Sequence, residues 1–99
     1  MKVIIAREAI EDLVTIGEYI AKSNPARSDS FVEELYDRCF ALSDTPYAFE
    51  RLAYRTDREI RRRPYGRYLI LYEICDTRIE VLRILHGAQD YKKILFPDG

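Results

Sequence analysis

The sequence predicts an α+β fold in the order β-α-α-β-β-β, an antiparallel sheet packed on an N-terminal helical hairpin. Three observations predict it. Apolar residues recur at helical spacing through the first half, the spacing drops to two in the second half, and short polar turns separate the later runs.

Val3-Ile4-Ile5 is a β-branched run suited to a first strand. Ala9, Ile10, Leu13, Ile16, Gly17, Ile20 and Ala21 then follow helical periodicity, with Glu8, Glu11, Asp12 and Glu18 mostly off that stripe. These acids gather toward the N-terminal turns, where the helix dipole favours them. Ser23-Asn24-Pro25 ends the helix, because the residue before proline avoids the α region. A second helix starts near Ala26 or Ser28 and runs to about Ser43, with Phe31, Leu35, Cys39 and Leu42 on one stripe. So short a link makes the two helices antiparallel neighbours. Asp44-Thr45-Pro46 stops the second helix, and residues 47–57 read as a loop with Tyr47, Phe49 and Leu52 as anchors.

From there the period is two. Arg58 to Pro64 is a polar strand with one aliphatic, Ile60, and Tyr65-Gly66 turns the chain. Arg67 to Cys75 is the strongest strand: Tyr68, Ile70, Tyr72 and Ile74 lie on one face, Leu69, Leu71 and Glu73 on the other. After Asp76-Thr77-Arg78, the run Ile79 to His86 alternates Ile79, Val81, Arg83 and Leu85 against Glu80, Leu82, Ile84 and His86. Short spacers make these strands antiparallel hairpins. Asp90 to Phe96 adds one helical turn, and the sheet face away from the hairpin is expected to be partly solvated.

A chain of 99 residues fits one domain, 1–99, and 47% hydrophobic residues suffice for a core. Twelve aromatics, eight of them Tyr and none Trp, favour a sheet-containing core. No apolar run approaches the ~20 residues that span a bilayer, and Met1 to Ala6 runs into charged residues without a signal-peptide pattern. The expectation is a soluble cytoplasmic protein with no membrane partner. Cys39 and Cys75 are expected to be reduced thiols in that compartment.

Charge is distributed unevenly. Seven arginines against two acids give residues 51–67 a net of +5, whereas residues 1–50 carry five basic against ten acidic residues, a net of −5. The overall −1 conceals this split. A basic patch beside tyrosines suits a polyanionic or acidic partner, since guanidinium groups grip phosphate or carboxylate oxygens two at a time. Arg58, Arg61, Arg62, Arg63, Arg67 and Arg83 are the candidates. Period two puts Arg61 and Arg63 on one face of their strand and Arg62 on the other. Guanidinium groups from neighbouring strands, with Arg67 and Arg83, are expected to converge on one sheet face. The competing reading is an edge strand protected by charge and by Pro64.

His86, followed by Gly87, stands at a strand end where it serves as an acid, a base or a satisfied surface group. Tyr91 is five residues beyond and is expected near the same face. A single histidine and the lack of a CxxC pair give no expectation of a metal, and no Gly-rich phosphate loop points to a cofactor. No catalytic residue is identified on chemistry alone.

With these residues in view, the chain resembles the RelE/ParE superfamily of bacterial type II toxins, and the ParE-like branch in particular. The likeness runs from Ala9, Asp12-Leu13, Ile16 and Tyr19-Ile20 through Asn24-Pro25, Phe31, Leu35, Leu42 and Pro46. It is most specific in the closing strands, Arg67 to Ile74 and Ile79 to Asp90, which end in Leu82-Arg83-Ile84-Leu85-His86-Gly87-Ala88-Gln89-Asp90. The chain departs from the pattern at Leu69, where RelE-like nucleases usually carry Arg, and at Gln89, where a basic residue is usual.

The resemblance implies a RelE/ParE-like fold and the toxin of a plasmid-stabilisation type of toxin–antitoxin system. It implies a ParD-like, ribbon-helix-helix antitoxin whose C-terminal segment wraps the toxin. ParE-like members inhibit DNA gyrase by binding it, with no catalytic centre; Arg58, Arg61, Arg62, Arg63, Arg67, Arg83, His86, Gln89 and Tyr91 would meet the target. RelE-like members instead cleave mRNA on the ribosome with basic side chains and a C-terminal Tyr or His. Lacking cations at Leu69 and Gln89, this chain is read as the binding type; an inactive toxin that keeps only antitoxin binding is the third reading.

Overall fold

The structure is a computed structural model that describes residues 1–55 and 57–98. Thr56, inside the segment read as a loop, lies outside the described residues. The elements run β1 (Lys2–Ile5), α1 (Arg7–Ala21), α2 (Pro25–Ala41), β2 (Glu50–Arg51), β3 (Ile60–Tyr65), β4 (Tyr68–Ile74), β5 (Arg78–His86) and α3 (Tyr91–Leu95). The predicted α+β class and element order hold, with β2 added inside the predicted loop. No helix among the described residues is long and apolar enough to cross a membrane.

The sheet order is β1-β5-β4-β3-β2. β3, β4 and β5 are antiparallel, as the short turns require. The antiparallel expectation fails at β1, which pairs parallel with β5 from Lys2↔Arg78 to Ile5↔Val81. The sheet is therefore mixed. A β-branched run satisfies either direction, and direction here is set by the long crossover that carries the chain from one strand to the other.

Local chemistry sets the element ends. Asn24 caps α2, its Oδ1 accepting from Arg27 N at 3.1 Å, with Pro25 opening the helix. Gly66 takes φ 57° in the turn between β3 and β4, a conformation costly for any residue with a Cβ. Between the helices, Ser28 Oγ donates to Gly17 O at 2.6 Å. A Cβ on Gly17 would lie 3.2 Å from Val32 Cγ2, so glycine permits this approach.

The main core lies between the helical hairpin and the sheet. Ala9, Leu13 and Ile16 of α1 and Leu35 and Cys39 of α2 meet Ile70, Tyr72, Ile79, Val81 and Ile84. Tyr72, fully buried, donates its hydroxyl to Pro46 O at 2.7 Å and so ties the chain after α2 to the sheet. The opposite sheet face is not left to solvent as expected. Leu69, Leu71 and Leu85 pack against Tyr91, Ile94 and Leu95, while Ile60 packs with Leu52 and Phe96. The C-terminal turn is a third layer.

The alternation predicted for β5 also breaks. The pairing of β4 with β5 steps from Leu71↔Arg83 to Tyr72↔Val81, leaving Leu82 as an extra residue. The side-chain phase changes there: Val81 and Ile84 both face the helices, and Leu85 faces α3. Since β1 ends opposite Val81, β5 is an edge strand from Leu82 on. Asp12 of α1 closes it, Oδ2 accepting from Arg83 Nε at 2.7 Å and Ile84 N at 2.9 Å, Oδ1 from Arg83 Nη2 at 2.9 Å.

Asp12→Ala removes all three hydrogen bonds and leaves the Arg83 guanidinium half-buried without its acid. Urea denaturation should register a loss of about 1–3 kcal/mol, and a loss near zero would show that α1 is held by apolar packing alone. Burial pushes the Tyr72 phenol and the Cys39 thiol each up to about 12. Their unfolded values are about 10 and about 8.5, so the folded state favours the neutral forms. That stability is complete below pH ~8.5 and is lost as pH rises toward ~12. Denaturation midpoints measured from neutral to strongly alkaline pH should fall in this window, and Tyr72→Phe should flatten the upper part of the decline.

Candidate functional site

The structure does not bring the candidate arginines to one sheet face. Residues directly opposite on neighbouring strands share a face, and Arg61 and Arg63 stand opposite Tyr72 and Ile70, on the helix side. Arg62 stands opposite Leu71, on the α3 side. Arg83 turns out at the β5 bulge toward Asp12.

Most of them hold carboxylates of the chain itself. Arg58 binds Glu73 through two hydrogen bonds, at 2.9 and 2.6 Å. Arg61 binds Glu59 at 2.8 Å and donates to the carbonyls of Tyr47 and Phe49, with only 15% of its side chain exposed. Arg61 is thus a structural clamp on the loop after α2, and its replacement would disturb the fold as well as any partner. Arg62 pairs with Glu50 at 2.8 Å and lies 3.4 Å from the Tyr91 hydroxyl. The competing neighbour of each guanidinium pushes its pKa up where a shift is resolved, as the hydrogen bond to Glu73 does for Arg58 and that to Asp12 for Arg83.

Arg63 and Arg67 are different: among the described residues neither forms an ion pair. Arg63 lies over the rings of Phe49 and Tyr65, at 4.8 and 5.5 Å. Arg67 is exposed in the β3–β4 turn. α2 adds two cations that the sequence reading missed. Arg38 lies 5.0 Å from the Tyr65 ring, opposite in sequence spacing to Arg27, which lies 5.0 Å from Phe31. Phe31 and Tyr65 are themselves in tilted contact, with ring centroids 5.8 Å apart. Glu34 is the acid of this group, bonded to Arg27 at 2.6 Å and accepting from the Tyr65 hydroxyl at 2.6 Å. Those two hydrogen bonds, Arg27 first, hold its carboxyl below the usual range. A cationic edge with aromatic floor therefore runs along α2 and β3. The spacing of Phe31, Glu34 and Arg38 on one flank of the helix was the available signal.

His86 and Tyr91 are not neighbours on one face. His86 packs edge-on against Tyr68, with centroids 5.5 Å apart, on the α1 side. Tyr91 packs on the α3 side. His86 Nδ1 accepts from Ala88 N at 3.1 Å, which places the proton of a neutral ring on Nε2. Gln89 Oε1 accepts from His86 N at 2.8 Å. An arginine at this position has no acceptor to offer, so the unusual glutamine has a structural role here.

A largely apolar groove of about 620 Å³ lies between α1 and α2. Ile10, Leu13, Val14, Gly17, Val32 and Tyr36 line it, and Glu18, Asp29 and Glu33 stand at its rim. Val14 is 57% exposed and Tyr36 44%. The net charge of −5 over residues 1–50 gave no sign of this apolar floor.

One cluster of metal-ligand type escaped the sequence because it spans two strands. One ligand atom each of Glu73, Cys75 and Glu80 lies within 4.8 Å of the others. Both carboxylates are already committed, Glu73 to Arg58 and Glu80 to Arg78, and burial, then the two carboxylates, raise the Cys75 thiol pKa. The described thiols Cys39 and Cys75 are both free.

Comparison with known proteins fits this architecture. Residues 3–91 match the family of the ParE toxin of type II toxin-antitoxin system, parDE. Among solved structures, the chain is similar to one from the chromosomal ParDE TA system from P. aeruginosa, at 16% identity and a TM-score of 0.73, over 87% of this chain and 95% of that one. At this identity the likeness carries the fold. No curated protein matches the sequence significantly. With the chain from Val3 in β1 to Tyr91 at the start of α3 inside the family match, the protein belongs to the ParE toxin family of type II toxin–antitoxin systems.

Proposed function

We propose that this chain is a toxin that inhibits DNA gyrase by binding it and is neutralised by a ParD-like, ribbon-helix-helix antitoxin. The groove between α1 and α2 carries the antitoxin half of this reading. An apolar floor with acidic rims suits an amphipathic helix with basic flanks. Burying exposed Val14 and Tyr36 supplies affinity at about 25 cal/mol per Å² before the costs of association.

The target contact is drawn from the cationic edge, with Arg63 and Arg67 as its least committed members, and from the turn His86 to Tyr91 including Gln89. Arg58, Arg62 and Arg83 contribute field but are held by Glu73, Glu50 and Asp12. The same commitments weigh against a ribosome-dependent mRNA interferase, which needs cations poised for a phosphate transition state. A cytoplasmic location follows from either target, gyrase or the ribosome.

Val14→Asp should lower antitoxin affinity at least about tenfold, or about 1.4 kcal/mol, while shifting stability by less than about 0.5 kcal/mol. Calorimetric titration reads the affinity; in cells the variant should arrest growth despite the antitoxin. Unchanged affinity would remove the groove from the antitoxin interface. Arg63→Ala with Arg67→Ala should weaken inhibition of gyrase supercoiling while costing less than about 1 kcal/mol of stability. Cleavage of mRNA in a translating extract by the unaltered protein would overturn the gyrase reading, and inactivity in both assays would leave an antitoxin-binding remnant.

A further inference from the structure

A cleft between α1 and the end of β5 offers donors and hydroxyls, because the fold has already engaged its carboxylate, amide and imidazole acceptors. It has a volume of about 480 Å³. Its one lining acid is Asp12, whose oxygens are taken by Arg83 and Ile84 N. Gln89 Oε1 is taken by His86 N, and His86 Nδ1 by Ala88 N. What remains toward the space is the Gln89 amide NH2, the His86 Nε2–H and the hydroxyls of Thr15, Tyr19 and Tyr68. None of these holds a partner among the described residues.

A second cleft of about 350 Å³ shares Tyr19 and Tyr68 with the first. Phe31 and Gly66 supply its apolar walls, and Arg67 and Arg27 border it. Tyr19 is 68% exposed and, with Tyr68, lines both clefts. Burial raises the Tyr68 phenol pKa; the Tyr19 phenol adds to this and Arg67 opposes it, which places all three in one electrostatic neighbourhood. Both volumes fall in the range of small-ligand sites, about 300–1,000 Å³.

The two halves ask for different chemistry from one ligand. The donor half suits a phosphate, and the aromatic half suits a flat ring that stacks. A lone carboxylate would satisfy the donors and leave the aromatic half in water. We propose that the joined clefts bind a nucleotide unit, with its phosphate at the His86–Gln89 turn and its base against Tyr19, Tyr68 and Phe31. This site shares Arg67, His86 and Gln89 with the proposed target contact, but it is read by ligand binding to purified protein, so its failure and the failure of the gyrase reading are seen separately.

Titration of the labelled protein with adenosine 5′-monophosphate, followed by NMR, should give saturable shifts at Tyr19, Tyr68 and His86. Adenosine alone and inorganic phosphate alone should bind at least about tenfold more weakly. Gln89→Glu keeps the acceptor for His86 N and replaces the donor by a carboxylate, so it should reduce affinity by about tenfold or more. Tyr19→Ala, at an exposed position, should do the same. A single-stranded oligothymidylate binding much more tightly than the monophosphate would assign the unit to a nucleic-acid chain; equal affinity would assign it to free nucleotide. The proposal is overturned if millimolar nucleotide moves no cleft resonance, or if both variants bind as well as the original. It is equally overturned if an acidic peptide occupies the cleft while every nucleotide fails.

Discussion

Asp12 holds α1 to the sheet at the point where the sheet runs out of strands. β1 accompanies β5 only to Val81, and β5 continues to His86 with its outer amides facing no strand. Such an edge is a template for pairing with other chains. Here side chains close it: Asp12 takes Ile84 N, and Gln89 takes His86 N. The Leu82 bulge makes this arrangement available, since it turns Arg83 toward α1 and restores Ile84 to the helix-facing core. One carboxylate then satisfies a backbone donor and a guanidinium together, so a single side chain closes the edge and holds the helix.

The arginines follow the same logic of local satisfaction. The acids that hold Arg58, Arg62 and Arg83 are Glu73, Glu50 and Asp12, all outside the basic segment 51–67. A charge count along the chain cannot see them. Glu73 also lies directly opposite Glu80 in the β4–β5 register, a pairing of like charges that is unfavourable by itself. Arg58 and Arg78 flank the two carboxylates and offset the repulsion. Part of the basic excess is therefore a requirement of the sheet, and the cations presented outward are a different set, Arg63 and Arg67 with Arg38 from α2.

What the sequence disclosed corresponds to what periodicity encodes. Ala9, Leu13 and Ile16 marked the buried stripe of α1, and Tyr68 to Ile74 marked both faces of β4, because one residue step decides burial there. Where both phases are apolar the signal vanishes. Leu82, Ile84 and Leu85 are all suitable core residues, so nothing in their order reports the bulge. The direction of β1 was illegible for a related reason: Val3-Ile4-Ile5 fits a parallel or an antiparallel neighbour. The cover on the far face comes from Tyr91, Ile94, Leu95 and Phe96, and their packing partners are remote in sequence. The site was less legible than the fold, since an arginine's partner lies in tertiary structure and its residue type is the same whether it is paired or open.

α2 gives the two main surfaces a common support. Val32 and Tyr36 face the apolar groove, whereas Phe31, Glu34 and Arg38 face β3 and the cationic edge. The two sides are separated by one helix, about 10–12 Å across with its side chains. The electrostatic screening length at physiological salt is about 8 Å. On the proposed reading, an antitoxin helix in the groove therefore lies beside the cationic edge, within about a helix width of it. A chain leaving that groove has to cross little more than this distance to cover the edge. On that reading neutralisation would need no rearrangement of the toxin, because the helix proposed to seat the antitoxin also borders the edge proposed to meet the target.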